Sequence, residues 1–235
     1  MIFKFNNRLS RSFTPMIFSC INMPRTSSFS SLEDYKSDPK VLTAWLDVSI
    51  IKRNGKAFQT DISLIPVEEA LIFPDVRVFT LIDTEAKFPT DVPGLQGVKL
   101  ISFSISRYGF NLLRGWLDPF RERFQNNNEE IPSIEICFVE HSFLSWARSV
   151  FLSNLKTEIS CCHYATTGLC FGGVWDFASS LRIPNKYTGY IFLLDSNNRI
   201  RWRACGSAST TDTDLLIKMT NALIDENKNK DYAKR

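Results

Sequence analysis

The run from Gly189 to Cys205 restricts the fold more than any other part of this chain. Tyr190–Leu194 is apolar at every position, which suits a strand covered on both faces. Asp195-Ser196-Asn197-Asn198 then reads as a hairpin turn, because Asp and Asn side chains bond their own backbone and tolerate left-handed dihedrals. The return strand, Arg199 to Cys205, alternates. Ile200, Trp202 and Ala204 are expected inward, and Arg199, Arg201 and Arg203 outward. A doubly covered strand must sit inside a sheet with helices on its faces, so the rest of the chain has to supply neighbours and cover.

The neighbours lie upstream. Val98 to Ile105 reads as a buried strand, and Phe110, Leu113, Leu117, Phe120 and Phe124 recur at helical spacing, with a kink expected at Pro119. Ile134 to Val139 is a second strand. Ser142 is expected to cap a helix that buries Phe143, Ala147, Val150, Phe151 and Leu155. Glu158 to Pro184 reads as a loop-rich insertion with a short helix around Val174 to Leu181. After the hairpin, Thr211 and Asp214 have capping-box spacing and open a helix burying Leu215, Leu216, Met219 and Leu223. The order βαβα–insertion–ββα predicts an α/β, thioredoxin-like three-layer sandwich over residues 98–226 with an N-terminal extension. Residues 32–97 are expected to be linker and irregular extension, since Asn54-Gly55 marks a turn and Pro66, Pro74, Pro89 and Pro93 interrupt regular structure. Residues 227–235 are charged and expected to fray.

Residues 1–31 have another character. The first 32 residues hold Lys4, Arg8, Arg11, Arg25 and seven serines, with no acid before Glu33. Wound as a helix, Ile2, Phe5, Leu9 and Phe13 face away from the cations, which is the composition of a mitochondrial transit peptide. Subtracting those four charges from the formal +3 leaves the body near neutral, so a nucleic-acid partner is not indicated. The whole chain is 44% hydrophobic, enough for a core, yet its apolar runs are too short for a membrane-spanning helix.

The chemistry-bearing residues are few. A thioredoxin-like thiol enzyme activates a cysteine where its first core strand meets a helix N-terminus. That junction here reads Ser104-Ile105-Ser106-Arg107-Tyr108-Gly109, without cysteine. Cys161-Cys162-His163, with Cys170 beyond, offers a candidate metal or vicinal-disulfide cluster, but it lacks the CxxC knuckles of structural zinc sites. His141, near Glu140, Ser142 and Ser145, reads as a polar turn. No Walker, GxGxxG or HExxH pattern is present, so no cofactor, metal or small-molecule substrate is expected.

Gly189-Tyr190-Ile191-Phe192-Leu193-Leu194-Asp195, then Arg199-Ile200-Arg201-Trp202, then Gly206 and Ala208 before a helix, resemble the C-terminal signature of a mitochondrial ATP synthase assembly factor family, ATPase complex subunit 10. Ala70-Leu71-Ile72-Phe73-Pro74-Asp75 resembles the segment ahead of that family's first core strand, with Asp75 where Asn is commoner. The resemblance covers roughly residues 57–226, although 144–186 match little. It implies a non-catalytic factor, peripheral on the matrix side of the mitochondrial inner membrane. Such a factor binds newly made Fo subunit 6 (subunit a) before that subunit joins the proteolipid ring. Arg199, Arg201 and Arg203 are then candidates for partner binding, and Phe73, Pro74, Gly189, Tyr190, Asp195, Trp202 and Gly206 for the structural motif. The same hairpin is similar to that of peroxiredoxins, which gives a thiol oxidoreductase with a relocated cysteine, Cys162 or Cys170, as the alternative. A subunit retained in the finished complex is a third reading.

Overall fold

Four largely buried strands build the centre of the molecule. Residues 46–91, 97–124 and 131–233 are described by a computed structural model; the expected transit peptide, residues 1–31, lies outside them. Strand β3 (Lys99–Ser104) is buried at all six positions. It pairs in parallel with β4 (Ser133–Val139) and antiparallel with β6 (Gly189–Leu194), which pairs with β7 (Ile200–Cys205). Helix α1 (Arg107–Phe124) crosses from β3 to β4 and buries all five apolar residues assigned to its inner face, with Pro119 inside it. Helix α2 (Arg148–Lys156), β5 (Thr167–Phe171) and α3 (Val174–Ser180) follow β4, and α4 (Thr210–Ala233) closes the fold.

The sheet has seven strands in the order β2-β1-β5-β4-β3-β6-β7, where β1 is Val76–Thr80 and β2 is Glu85–Phe88. One face packs against α1 and α4, through Trp116, Leu117, Trp202, Leu216 and Leu223. The other carries Phe103, Phe138, Tyr190 and Phe192 against Phe73 and the α3 residue Phe177. The α/β sandwich with the thioredoxin-like order βαβ–(αβ)–αββα is therefore as expected from residue 98 onward.

Several local expectations change. Residues 57–97 are not irregular throughout, because β1 and β2 add a hairpin to the same sheet. Val76-Arg77-Val78-Phe79-Thr80 buries alternate side chains, and the prolines sit just outside it. The insertion contains β5, whose Gly168 lies under Val78; a Cβ there would come within 2.6 Å of that side chain. The capping box belongs to Ser209 and Asp212, not Thr211 and Asp214: Ser209 N donates to Asp212 Oδ2 (3.0 Å) and Asp212 N to Ser209 Oγ (3.2 Å). Ser142 caps nothing through its side chain; it opens a 3-10 turn, Ser142–Ala147, that precedes α2. Only Leu152 and Leu155 of α2 are buried, and Phe143 and Val150 face outward. Helix α4 continues to Ala233, through residues expected to fray.

Candidate functional site

The β3–α1 junction is the position where this fold generates thiol chemistry, and here serine holds it. Ser106 Oγ accepts from Gly109 N (2.9 Å) and donates to Tyr187 O (2.6 Å), so the residue caps the helix and ties it to the segment ahead of β6. A cleft of about 300 Å³ opens beside it, lined by Ser104, Phe110, Cys137, Phe151 and Leu155, with an Arg107–Glu158 ion pair at its rim. Its thiol is poorly suited to attack. Cys137 pairs in register with Ser104, and burial, reinforced by Glu135, pushes its pKa up to about 12. Burial does the same to Cys170, also to about 12, and raises Cys205, whose sulfur accepts from Ala57 N and Phe58 N (3.2 and 3.4 Å). Cys161 and Cys162 are exposed on a 3-10 turn, where Cys162 Sγ donates to Ser160 Oγ (3.3 Å), while Cys170 is buried on β5. His163 ends that turn as a neutral imidazole, since burial lowers its pKa to about 4 and Arg121 and Arg114 add to the effect. Among the described residues no three His, Cys, Asp or Glu side chains gather as a metal site would require.

A second, larger cavity of about 660 Å³ lies between β1, β5 and α3, with Arg77, Glu85, Ser142, Cys170 and Asp176 on its walls and Pro74 at its edge. One interaction missed in the sequence lies under α1. Arg121 Nη2 donates to Glu135 Oε1 (2.6 Å) and its Nε to Ser133 Oγ (2.9 Å), both groups being buried. An arginine on the inner face of a helix, followed by a serine and a glutamate two positions apart on the next strand, was the available signal.

The motif residues come together around the hairpin. Gly189 and Gly109 let α1 lie directly on β6, since a Cβ on Gly189 would stand 2.5 Å from Gly109 O. Tyr190 is fully buried, its hydroxyl donating to Asn185 O (2.6 Å) and accepting from Asn185 N (3.0 Å). Asp195 Oδ1 accepts from Asn197 N and Arg199 N, both at 2.9 Å, which closes the turn. Lys99 Nζ reaches Asn198 Oδ1 (2.6 Å) from below; burial lowers its pKa and Asp195 offsets part of that. Trp202 is fully buried against Trp116, its Nε1 donating to Asp61 O (2.5 Å), and Trp116 Nε1 donates to Gly206 O (2.7 Å). Gly206 holds φ +76°, and a Cβ there would meet Gly55 C at 2.5 Å. Phe73 packs edge-on against Phe177 and Phe192, and its N–H donates to Asn198 O (2.8 Å).

The three arginines, however, form no common outward stripe. Leu193 pairs with Trp202 and Leu194 with Ile200, so Arg201 is an extra residue in β7, a bulge that breaks the alternation. Ile200 consequently joins the cluster around Phe73, while Trp202 and Ala204 join the one under α1 and α4. Arg201 is 3% exposed, its guanidinium gripping Glu226 of α4 through two 2.9 Å bonds while Nε donates to Ile65 O (2.7 Å). Arg203 pairs with Asp61 (3.1 Å) and stacks on Phe58. Burial raises the Asp61 pKa, and Arg203 opposes the rise. The strand edge is covered as well: Asp61 N, Ile65 N and Leu71 O bond Arg203 O, Arg201 O and Ile200 N, and Ile72 bridges Arg199. Residues 56–73 thus form a strap over the hairpin.

Comparison with known proteins adds the following. The family described as ATP10 protein matches residues 44–223. A Mitochondrial ATPase complex subunit ATP10 from Candida glabrata is 31% identical over 181 residues, which are 75% of this chain and 66% of that protein. The namesakes from Eremothecium gossypii and Saccharomyces cerevisiae are 25% and 26% identical, over 71% and 75% of this chain and 62% and 68% of theirs. The chain therefore spans about two-thirds of the length of these relatives. Among solved structures, BsSco, a member of the Sco family of cytochrome c oxidase assembly proteins, is similar at a TM-score of 0.47 and 11% identity, over 67% of this chain and 95% of that one.

Proposed function

Because the chain belongs to the ATP10 protein family, with residues 44–223 matched, we propose that it is a mitochondrial assembly factor for the F1Fo ATP synthase and works by binding rather than by catalysis. The family match carries this reading. The relatives' shared name ties them to the mitochondrial ATPase complex, and the acid-free, arginine- and serine-rich first 32 residues suit import into the matrix. Two observations favour binding over chemistry. Ser106 occupies the helix cap where a reactive thiol would stand, and the nearest thiol, Cys137, is held protonated by burial. The protein engages newly made Fo subunit 6 before it meets the proteolipid ring, and it does so from the matrix side as a peripheral protein. No helix among the described residues is long and apolar enough to cross a membrane.

Affinity capture during pulse-labelled mitochondrial translation tests the reading. Newly made subunit 6 should co-purify in the pulse and leave during the chase, and the finished synthase should lack this chain. Persistence in the finished enzyme would make it a structural subunit instead. Loss of assembly in a stably folded Cys162→Ser variant would favour the thiol-enzyme alternative.

A further inference from the structure

The arm between β4 and β5 exposes what the rest of the fold buries. Phe143, Trp146 and Val150 are 68%, 81% and 59% exposed. Phe143 and Trp146 sit three apart in the 3-10 turn Ser142–Ala147, so they eclipse each other, and Val150 follows one turn later in α2. On its other side the arm is anchored: Arg148 lies over the Phe79 ring and 3.8 Å from Asp83, and Leu152 and Leu155 are buried. The three apolar side chains thus form a ridge pointing away from the body. Isolated exposed apolar residues are ordinary, but an aligned aromatic ridge is an interaction surface.

Charge selects the occupant. Residues 141–157 contain Arg148, Lys156 and His141 but no Asp or Glu. The acids that bound this segment in the chain, Glu140 and Glu158, are held by Lys186 and Arg107, and Asp83 is held by Arg148. The exposed serines Ser145 and Ser149 stand between the apolar residues and Ser153 follows them. A ridge of Trp, Phe and Val on an acid-free segment that ends in Lys156 has the chemistry of segments that lie in the interfacial region of a bilayer. An apolar client helix would be better served by a groove, whereas these side chains protrude.

We infer that Phe143, Trp146 and Val150 insert into the headgroup region of an anionic phospholipid bilayer, with Lys156 at the end of the arm meeting the phosphates. This names the surface that attaches the protein peripherally, and so rests on the membrane-associated reading above.

The test uses the full chain and vesicles of phosphatidylcholine with or without phosphatidylglycerol, some carrying bromine on the acyl chains. Bromolipid should quench a fluorescence component that Trp146→Phe removes, which makes the readout local to the arm even if the N-terminus also touches the vesicle. Ser145→Glu/Ser149→Glu/Ser153→Glu leaves the packing intact and should weaken that local insertion on the order of a hundredfold on anionic vesicles. Equal quenching in wild type and Trp146→Phe would overturn the inference. So would a Phe143→Ser/Trp146→Ser/Val150→Ser variant that binds vesicles like wild type but loses capture of newly made subunit 6, since the ridge would then be a protein-docking surface. Insertion through the ridge by a protein that proves dispensable for ATP synthase assembly would sink the assembly reading and leave this surface standing.

Discussion

In the β6–β7 hairpin every second residue of the return strand is an arginine, yet the strand is enclosed; in the arm after β4 the apolar residues recur at helical spacing, yet Trp146 is 81% exposed. The difference lies in what arrives from elsewhere in the chain. The strap at residues 56–73 covers β7, bringing Ile65 O to Arg201 from 136 positions away and Asp61 to Arg203. Among the described residues nothing covers the outer side of the arm. A periodic pattern tells which side chains share a face, but whether that face is covered is decided by tertiary contacts.

The comparison breaks first at Trp202. It is fully buried against Trp116, Ala204 lies in the same cluster, and its indole N–H is satisfied by the strap. Trp202→Ala should cost about 3–5 kcal/mol, read as a lower urea midpoint at unchanged slope. If the loss stays below about 1 kcal/mol, the enclosure of the hairpin is wrong.

Arg201 sharpens the contrast, because the sequence assigned it the same role as Arg203. Replacing Arg201 with Gln removes the buried bidentate donor to Glu226 and the cation 3.9 Å from the buried Asp195, and should cost about 3 kcal/mol. Arg203 is about half exposed, and Arg203→Gln should cost less than about 1 kcal/mol. Equal effects at the two positions would restore the outward stripe.

This pair also shows how far the sequence could be read. The strand Tyr190–Leu194, its turn, the helix faces of α1 and α4 and the thiol-free junction were all legible, since each depends on near neighbours in the chain. The bulge at Arg201 was not, because nothing within Arg199–Cys205 distinguishes one extra residue from continued alternation; it is visible only in the register with β6. Strands β1 and β5 were hidden by the turn residues around them and by Gly168, whose missing side chain is a consequence of packing under Val78. Phe143 and Val150 were placed on a buried face for the reason given above. Their acid-free surroundings, Ser142 to Thr157, were the cue for a different reading.

Asp212 connects the strap to the closing helix, and its substitution should have a smaller effect. Besides capping α4 with Ser209, it accepts from Lys56 Nζ (3.0 Å) and Thr60 Oγ1 (2.9 Å). Burial alone would raise its pKa, but the bonds from Ser209, Lys56 and Thr60 outweigh burial and lower it. A depressed carboxyl contributes stability that is present above the ordinary carboxylate range and is lost as pH falls through the folded-state value. Asp212→Asn should cost about 1 kcal/mol at neutral pH. The gap between variant and wild type should close in denaturation series taken below about pH 4. A gap that persists undiminished into acid would show that the cap acts through shape alone.

The smallest expected effect belongs to the cysteines. Cys137, Cys170 and Cys205 lie within the sheet, with burial holding the first two thiols near pKa 12 and raising the third. Cys161 and Cys162 are exposed on the turn between α2 and β5. In the folded protein a water-soluble disulfide reagent should modify Cys161 and Cys162 at once and reach the sheet cysteines only as the domain unfolds, because attack needs both access and thiolate. Mass mapping of the modified peptides distinguishes the two groups. Cys162→Ser should shift the unfolding midpoint by no more than about 0.5 kcal/mol, as expected for an exposed side chain with one weak bond to Ser160. Fast modification of Cys137 in the native state would mean that the cleft beside Ser104 admits reagents to its floor. The junction that serine now caps would then be chemically open, and the division between an enclosed sheet and an exposed arm would fail at the point where this fold elsewhere does chemistry.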